Sequence, residues 1–248
     1  MVSKKDDLSR QHDIFAASKK NAFNICRYCH FERQREIFTN KMSKNMAKPA
    51  LNDTEQKLAR LVQTALDMGA TDARILPADR IVVDEKLAEK CSNPKCMNYG
   101  LSKSCPPNVA GPRAFKKQLE TFTRAVFFKI EVPSEILYST QNLELFQLLH
   151  ETTAGVEQTA IEMGFTRAKG YAGNSCKMVF CHDHLECRAL HGDGQCRHPD
   201  RARPSMSGFG VHVGKLYEAA GWPTKHPTQK TRKGRFKMAS ICGLVLID

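Results

Sequence analysis

Ten cysteines are the residues of this chain with the most chemical potential, and nine of them fall into three groups. The first group is a pair, Cys26 and Cys29. The other two groups supply seven thiols: Cys91, Cys96, Cys105, Cys176, Cys181, Cys187 and Cys196. Because cytosolic thiols are kept reduced, a disulfide framework is not expected in an intracellular protein, and dense cysteine points to metal ligation. Scattered buried cysteines would not gather in two loops rich in Pro and Gly, so the alternative that they act as small apolar residues is less favoured.

The spacing of these thiols bears on which metal they bind. Four and eight residues separate the cysteines of the second group, and four, five and eight separate those of the third. Structural zinc usually takes cysteine pairs two to four residues apart. Iron–sulfur clusters tolerate longer, loop-like spacing, and the step Cys105–Pro106 also has a counterpart in ferredoxin sequences. We therefore expect one or two iron–sulfur clusters of the [4Fe-4S] type, with zinc as the alternative.

The seven thiols divide into three and four. A cubane cluster takes four cysteine ligands, so the loop from Cys176 to Cys196 has enough thiols for a complete cluster. The loop from Cys91 to Cys105 would leave one metal position open or filled from elsewhere, and catalytic metal sites keep such a position. One shared site, or two structural ones, are the alternatives.

Charged residues near the second loop are candidates for contact with a cofactor. Arg197, Arg201 and Arg203 could hold an anion or offset the charge of a thiolate-bound cluster, although surface ion pairs are an equal alternative. The loop region also contains four histidines, of which we expect one at most to be a ligand: His182, His184, His191 and His198. Cys242 lies in a strand pattern and is expected to be a core thiol.

Helices and strands alternate around the two loops. Asn52 or Asp53 is expected to cap a helix that Gly69 ends, and further helices are predicted at 113–123, 140–163 and 210–220. Short β-branched runs predict five strands: 73–76, 80–84, 124–132, 166–172 and 241–247. The pattern predicts an α/β or α+β domain, a layered mixed sheet with flanking helices and two Cys-rich metal-binding loops at 91–112 and 173–204.

The excess of basic over acidic residues is concentrated in two segments of the chain, residues 1–50 and 197–237. The net charge is +12, and residues 1–50 contain 11 basic and 5 acidic residues. Residues 197–237 contain 10 basic and 2 acidic residues. We therefore predict a basic N-terminal extension at 1–50 and a metal-binding domain at 51–248. A basic block at 225–237 could contact nucleic acid, but no nucleic-acid motif accompanies it, so a solvated surface is favoured.

The sequence contains no signal for a membrane. Its apolar runs are far shorter than the ~20 residues that cross a bilayer. The first residues lack the apolar stretch of a secretory signal, so we expect a cytoplasmic protein with no membrane contact.

Two stretches resemble a known family. They read CSNPKCMNYGLSKSCPPNV and SCKMVFCHDHLECRAL, the latter followed by CRHPDRARPSMSGFGVHV. The chain is similar over about residues 52–248 to the predicted metal-binding proteins of the domain-of-unknown-function family 2284. The resemblance implies metal binding by the seven thiols of the second and third groups and implies no known reaction. Residues 1–50 lie outside it.

Three functions follow as hypotheses. The first is an iron–sulfur protein that acts in electron transfer, or as a redox accessory, with a redox partner protein. The second is an enzyme whose open metal centre acts on a small substrate. The third is a zinc-stabilised module that binds nucleic acid through its basic flanks.

Overall fold

A computed structural model describes residues 52–192, 194–224, 228–231 and 234–248, with the backbone alone at 228–231 and 234–236. The predicted extension at 1–50, with Cys26, Cys29 and His30, lies outside the described residues. The side chains of the basic block lie outside them too, apart from Lys237.

The first described helix is α1, Asp53–Asp67. Asn52 precedes it, and its side chain accepts the N–H of Glu55 while the Glu55 carboxylate accepts the N–H of Asn52. This reciprocal pair satisfies two backbone donors that the first turn leaves free. Leu58, Leu61 and Ala65 are buried on one face, as the helical spacing predicts.

The described strands pair to form an antiparallel sheet. Its members are β1 (Asp72–Pro77), β2 (Arg124–Pro133), β3 (Lys169–Tyr171), β4 (Thr228–Thr231) and β5 (Gly234–Ile247). Four of them lie in the order β1-β2-β5-β3, and β4 pairs with the first part of β5. All of these strand pairings are antiparallel, so the prediction of a mixed sheet is wrong and the fold is the α+β alternative.

Six further helices accompany the sheet in the described part of the chain. They are α2 (Glu85–Glu89), α3 (Gly111–Leu119), α4 (Ser134–Leu137), α5 (Asn142–Glu162), α6 (Cys176–Phe180) and α7 (Val213–Ala219). Short 3₁₀ turns lie at Ala78–Arg80, Arg188–Leu190 and Met206–Phe209. None of the described helices is long and apolar enough to cross a membrane.

Both faces of the sheet are covered, which gives three layers. Val126 and Phe128 of β2 point to a core shared with α1 and α5, whereas Phe127 points to a core shared with α3 and α7. The alternation follows from the two-residue period of a strand. The predicted layered fold with helices and strands is confirmed.

Several predicted boundaries differ from the structure. The predicted strand at 80–84 is wrong: Ala78–Arg80 is a 3₁₀ turn, and only Val83 makes an isolated bridge, to Val211. The strand predicted at 166–172 is shorter, because only Lys169–Tyr171 pairs with β5. Helix α6 lies inside the segment predicted as a loop, so Cys176 is the first residue of a helix.

Candidate metal centre

The first Cys loop follows α2 and is closed by its own backbone. The Cys96 N–H donates to the Cys91 carbonyl at 2.9 Å, and the Gly100 N–H donates to the Pro106 carbonyl at 2.8 Å. The Asn108 amide also donates to the Ser102 carbonyl at 3.0 Å. These hydrogen bonds fix the path of the backbone between Cys91 and Asn108.

Thiols of the first loop lie near one another. The pKa of Cys91 is raised by burial first and then by the neighbouring thiols of Cys96 and Cys105. Thiols oppose each other's ionisation only at short range, because two adjacent thiolates repel. A bound metal cation reverses this effect and favours the deprotonated ligands.

The second Cys loop begins at the edge of the sheet. Strand β3 ends at Tyr171, and Ala172 then bridges to Ser205, which brings the two ends of the loop together. The chain from 173 onwards leads directly into α6, where Cys176 is buried and only 8% exposed.

The pKa of Cys176 is affected by side chains of both Cys loops. Burial raises its pKa to about 11, and a hydrogen bond with the Ser104 side chain acts in the opposite direction. The thiols that raise it further come from both loops: Cys105, Cys196 and Cys187. The backbone makes the same connection, because the Ser205 N–H donates to the Ser104 carbonyl at 3.2 Å.

Cys181, in the second Cys loop, lies beside two cations. Its pKa is raised by burial, lowered by Arg197, raised by the thiols of Cys196 and Cys187, and lowered by Lys177. The buried Lys177 ammonium donates to the carbonyl of Cys181 at 2.7 Å and also to that of His184. Positive charge at this position offsets the charge of thiolates.

Backbone amides donate to two of the sulfurs. The Asn98 N–H lies 3.5 Å from Cys96 Sγ, and the His198 N–H lies 3.4 Å from Cys196 Sγ. Hydrogen bonds of this kind orient and tune sulfur ligands. The donor set, seven thiols with N–H donors and nearby cations, fits a thiolate-bound metal group.

The arrangement does not match a site for one small ion. Within the ranges that the structure describes, no three His, Cys, Asp or Glu side chains are arranged to hold a single metal ion. Two thiolates on one zinc lie roughly 4 Å apart, since each Zn–S bond is about 2.3 Å. The assignment of the seven thiols as ligands stays a prediction.

The three arginines differ in their surroundings. Arg197 lies near Cys181, and its guanidinium donates to the Glu186 carbonyl at 3.2 Å. Arg201 pairs with Glu151 at 3.4 Å and lies over the Phe180 ring. Arg203 forms a mostly buried ion pair with Glu157 of α5. A role for any of them in contacting a cofactor stays a prediction. The Arg197 charge lowers the pKa of Cys181.

The histidines of the loop make other contacts. His191 Nε2 lies 2.7 Å from a Glu186 carboxylate oxygen, and His184 Nε2 lies 3.9 Å from Asp183. The His198 ring packs on Phe180, with centroids 5.5 Å apart. Outside the loops, burial alone accounts for the raised pKa of Cys242, about 12, as expected for a core thiol.

A histidine on α5 holds the end of the second loop. His150 is fully buried, and its Nδ1 accepts the N–H of Arg203 at 3.1 Å. Burial, together with the Arg203 charge, lowers its pKa to about 4 from the usual 6.5. The sequence does not reveal this contact because the two residues are 53 positions apart.

We expect the stability of the protein to depend on pH through His150. Between pH 6.5 and pH 4 the unfolded chain binds a proton that the folded chain does not, so stability falls as pH falls through this range. The loss reaches at most about 3 kcal/mol. Urea unfolding of the wild type and of His150→Asn, which keeps an acceptor oxygen but cannot titrate, measures it. As the pH falls from 6.5 to 4, the wild type should lose more unfolding free energy than His150→Asn. Parallel pH profiles of the two proteins would contradict the lowered pKa of His150.

The comparisons with known proteins are consistent with this donor set. The chain matches the family described as predicted metal-binding protein (DUF2284) over residues 74–247, which include all seven thiols of the two loops. It belongs to that family. Membership of DUF2284 supports a metal cofactor without specifying which metal. Searches of curated proteins and of solved structures found no match.

Sequence reasoning missed Ser104, which connects the two loops, and Lys177, whose ammonium donates to two carbonyls within the second loop. Ser104 and Lys177 stand next to predicted ligands, but neither type signals a role at these positions. Ser102 and Ser175 are also buried, and their hydroxyls have no hydrogen-bond partner among the described residues. Such buried polar groups mark where a ligand or ordered water is needed.

Proposed function

We propose that this protein binds two iron–sulfur clusters of the [4Fe-4S] type and acts in electron transfer. One cluster is bound by the loop from Cys176 to Cys196, and the other by the loop from Cys91 to Cys105. The observation that carries the proposal is that the two loops lie side by side: the Ser104 side chain is hydrogen-bonded with Cys176, and the Ser205 N–H donates to the Ser104 carbonyl at 3.2 Å. A bound cluster supplies one-electron oxidation and reduction.

The spacing of the thiols along the chain supports a polynuclear group over zinc. Structural zinc usually takes cysteine pairs two to four residues apart, whereas the thiols of the two loops are separated by four to eight residues. Iron–sulfur clusters tolerate this longer, loop-like spacing.

Residues around the thiols have separate roles in this proposal. Lys177 and Arg197 offset the negative charge of the second set of thiolates, while the N–H groups of Asn98 and His198 donate to sulfur. Both effects favour retention of an electron and would raise the reduction potential. The identity of the redox partner and a cytoplasmic location stay predictions.

Metal and acid-labile sulfide analysis of anaerobically purified protein tests the proposal. Two clusters should give about eight iron and about eight sulfide per chain, with a brown colour. About four of each would reduce the number of clusters to one. A colourless protein with stoichiometric zinc and no sulfide would overturn the proposal, and would favour the zinc-stabilised module.

A further inference from the structure

The first Cys loop exposes apolar side chains to solvent. Met97 is 78% exposed and Leu101 is 45% exposed. The thiols of this loop line a cavity of about 510 Å³, but neither Met97 nor Leu101 belongs to that lining, so both meet solvent elsewhere on the loop. Single exposed apolar residues are common on proteins. Here, however, Met97 directly follows Cys96, whose thiol is itself exposed, so a molecule that covers Met97 lies next to a predicted ligand.

Tight turns keep this part of the loop compact. The Tyr99 N–H donates to the Cys96 carbonyl at 3.0 Å, and the Leu101 N–H donates to the Asn98 carbonyl at 3.3 Å. The first and last residues of such a turn have Cα atoms less than about 7 Å apart. Four exposed residues therefore lie in one small region, called the outer patch below: Lys95, Met97, Leu101 and Lys103.

The outer patch and its neighbourhood are positively charged. Residues 90–119 contain six basic residues and no acidic residue. Two of the six pair with Glu85, each at 3.6 Å. Lys95 and Lys103 form no ion pair with any residue in the part of the chain that the structure describes. The surface that complements two such lysines carries carboxylates.

The second Cys loop does not have the same charge. Its segment 173–204 contains five basic and four acidic residues, so its net charge is only +1. Leu185 is fully exposed there, but Glu186 directly follows it and Asp183 precedes it by two residues. An acidic surface is therefore attracted to the first loop more than to the second.

We propose that the outer patch binds an acidic electron-carrier protein. The inference rests on the proposed function, which requires a redox partner. One electron leaves the reduced carrier and enters the metal centre of the first loop, so the carrier is oxidised, the centre is reduced and no covalent bond forms or breaks. Electron-transfer complexes bury less than about 1,200 Å², so two apolar side chains flanked by two lysines suit such an interface. The lysines orient the approaching carrier, and contact with Met97 brings it beside Cys96.

Binding of an acidic plant-type [2Fe–2S] ferredoxin to the iron-loaded full chain tests the patch. Isothermal titration calorimetry should show one ferredoxin per chain at about 0.01 M salt. The affinity should fall at least about tenfold at about 0.15 M salt, because the Debye length shortens from about 30 Å to about 8 Å. No binding at low salt, or an affinity that does not change with salt, would overturn the inference.

Charge reversal of the two lysines locates the binding surface. The double variant Lys95→Glu, Lys103→Glu should bind ferredoxin at least about tenfold more weakly at low salt. The double variant Lys169→Glu, Lys237→Glu changes the net charge equally, at exposed positions in β3 and β5, and should bind like the wild type. Equal losses in the two variants, or a loss in the second alone, would overturn the outer patch as the docking site.

The apolar contribution has its own pair of variants. Met97→Ser should weaken ferredoxin binding at least about threefold, because it removes apolar area that the complex buries. Tyr138→Ser is the matched control, since Tyr138 is 84% exposed outside the two Cys loops, and it should not change the affinity. Full affinity in Met97→Ser would contradict the contact at Met97.

Iron and sulfide content of the same samples separates this inference from the proposed function. Full content without ferredoxin binding would overturn the docking surface and leave the clusters standing. Protein without iron and sulfide would overturn the clusters and, with them, the electron-transfer role of the patch. Binding of a short DNA duplex in place of ferredoxin, with the same dependence on Lys95 and Lys103, would assign the patch to nucleic acid and overturn the inference.

Discussion

Cys176→Ser should remove about half of the bound iron and sulfide, because one of two clusters would lose a ligand. Cys176 is the buried thiol that is influenced by cysteines of both loops. Serine oxygen is a harder and more basic ligand than thiolate, which suits iron–sulfur clusters poorly. We expect the iron content to fall from about eight to about four per chain, with the remaining cluster in the first loop.

Cys242→Ser is the matched control for this substitution. Cys242 is also a thiol with a raised pKa, but no other thiol contributes to that shift, and it lies in β5. Its substitution should leave iron and sulfide unchanged. Cys105→Ser should remove the other half. If Cys176→Ser and Cys242→Ser had the same iron content as the wild type, Cys176 would be removed from the ligand set.

The regular elements could be predicted where one local signal dominates. The Asn52 cap with Glu55 defines the start of α1, and the apolar run of β2 matches a strand buried on both faces. The run Ile81–Val83 has the same β-branched character but does not form a strand. Its neighbour is the segment leading into α7, and Asp84 begins α2 by accepting the N–H of Lys86. Residue type cannot reveal that a suitable partner strand is lacking at that position.

The sequence indicates which residues belong to the candidate site, but it does not show which of them lie close together. The spacing of the thiols indicates two loops, yet nothing in either loop shows that Ser104 approaches Cys176. That contact depends on the edge of the sheet, where Ala172 bridges to Ser205 and the Ser205 N–H donates to the Ser104 carbonyl of the first loop. The arginines show the same limit, because Arg201 and Arg203 pair with carboxylates of α5 that are 50 and 46 residues away.

Gly210→Ala should destabilise the fold by about 3 kcal/mol or more, from backbone strain and steric overlap together. Gly210 has a φ of +68°, and a Cβ atom there would lie 2.4 Å from the Asp84 carbonyl oxygen. That contact is with backbone, so no side chain can rotate away. The Asp84 N–H also donates to the Gly210 carbonyl at 2.8 Å. This bond connects the start of α2 to the segment from Ser205 to Gly214, which forms one wall of the cavity beside the first Cys loop.

Gly221→Ala separates the cost of the left-handed backbone conformation from the cost of the steric overlap. Its φ is +70°, nearly the same as at Gly210, but a Cβ atom would have no described atom within 4 Å. This variant should lose only the cost of the left-handed conformation, about 1 kcal/mol. Urea unfolding of both proteins measures the difference, which we expect to be about 2 kcal/mol. Equal losses would mean that the segment at Gly210 can move away from Asp84 at no cost, and the cavity wall would then not be held in place by α2.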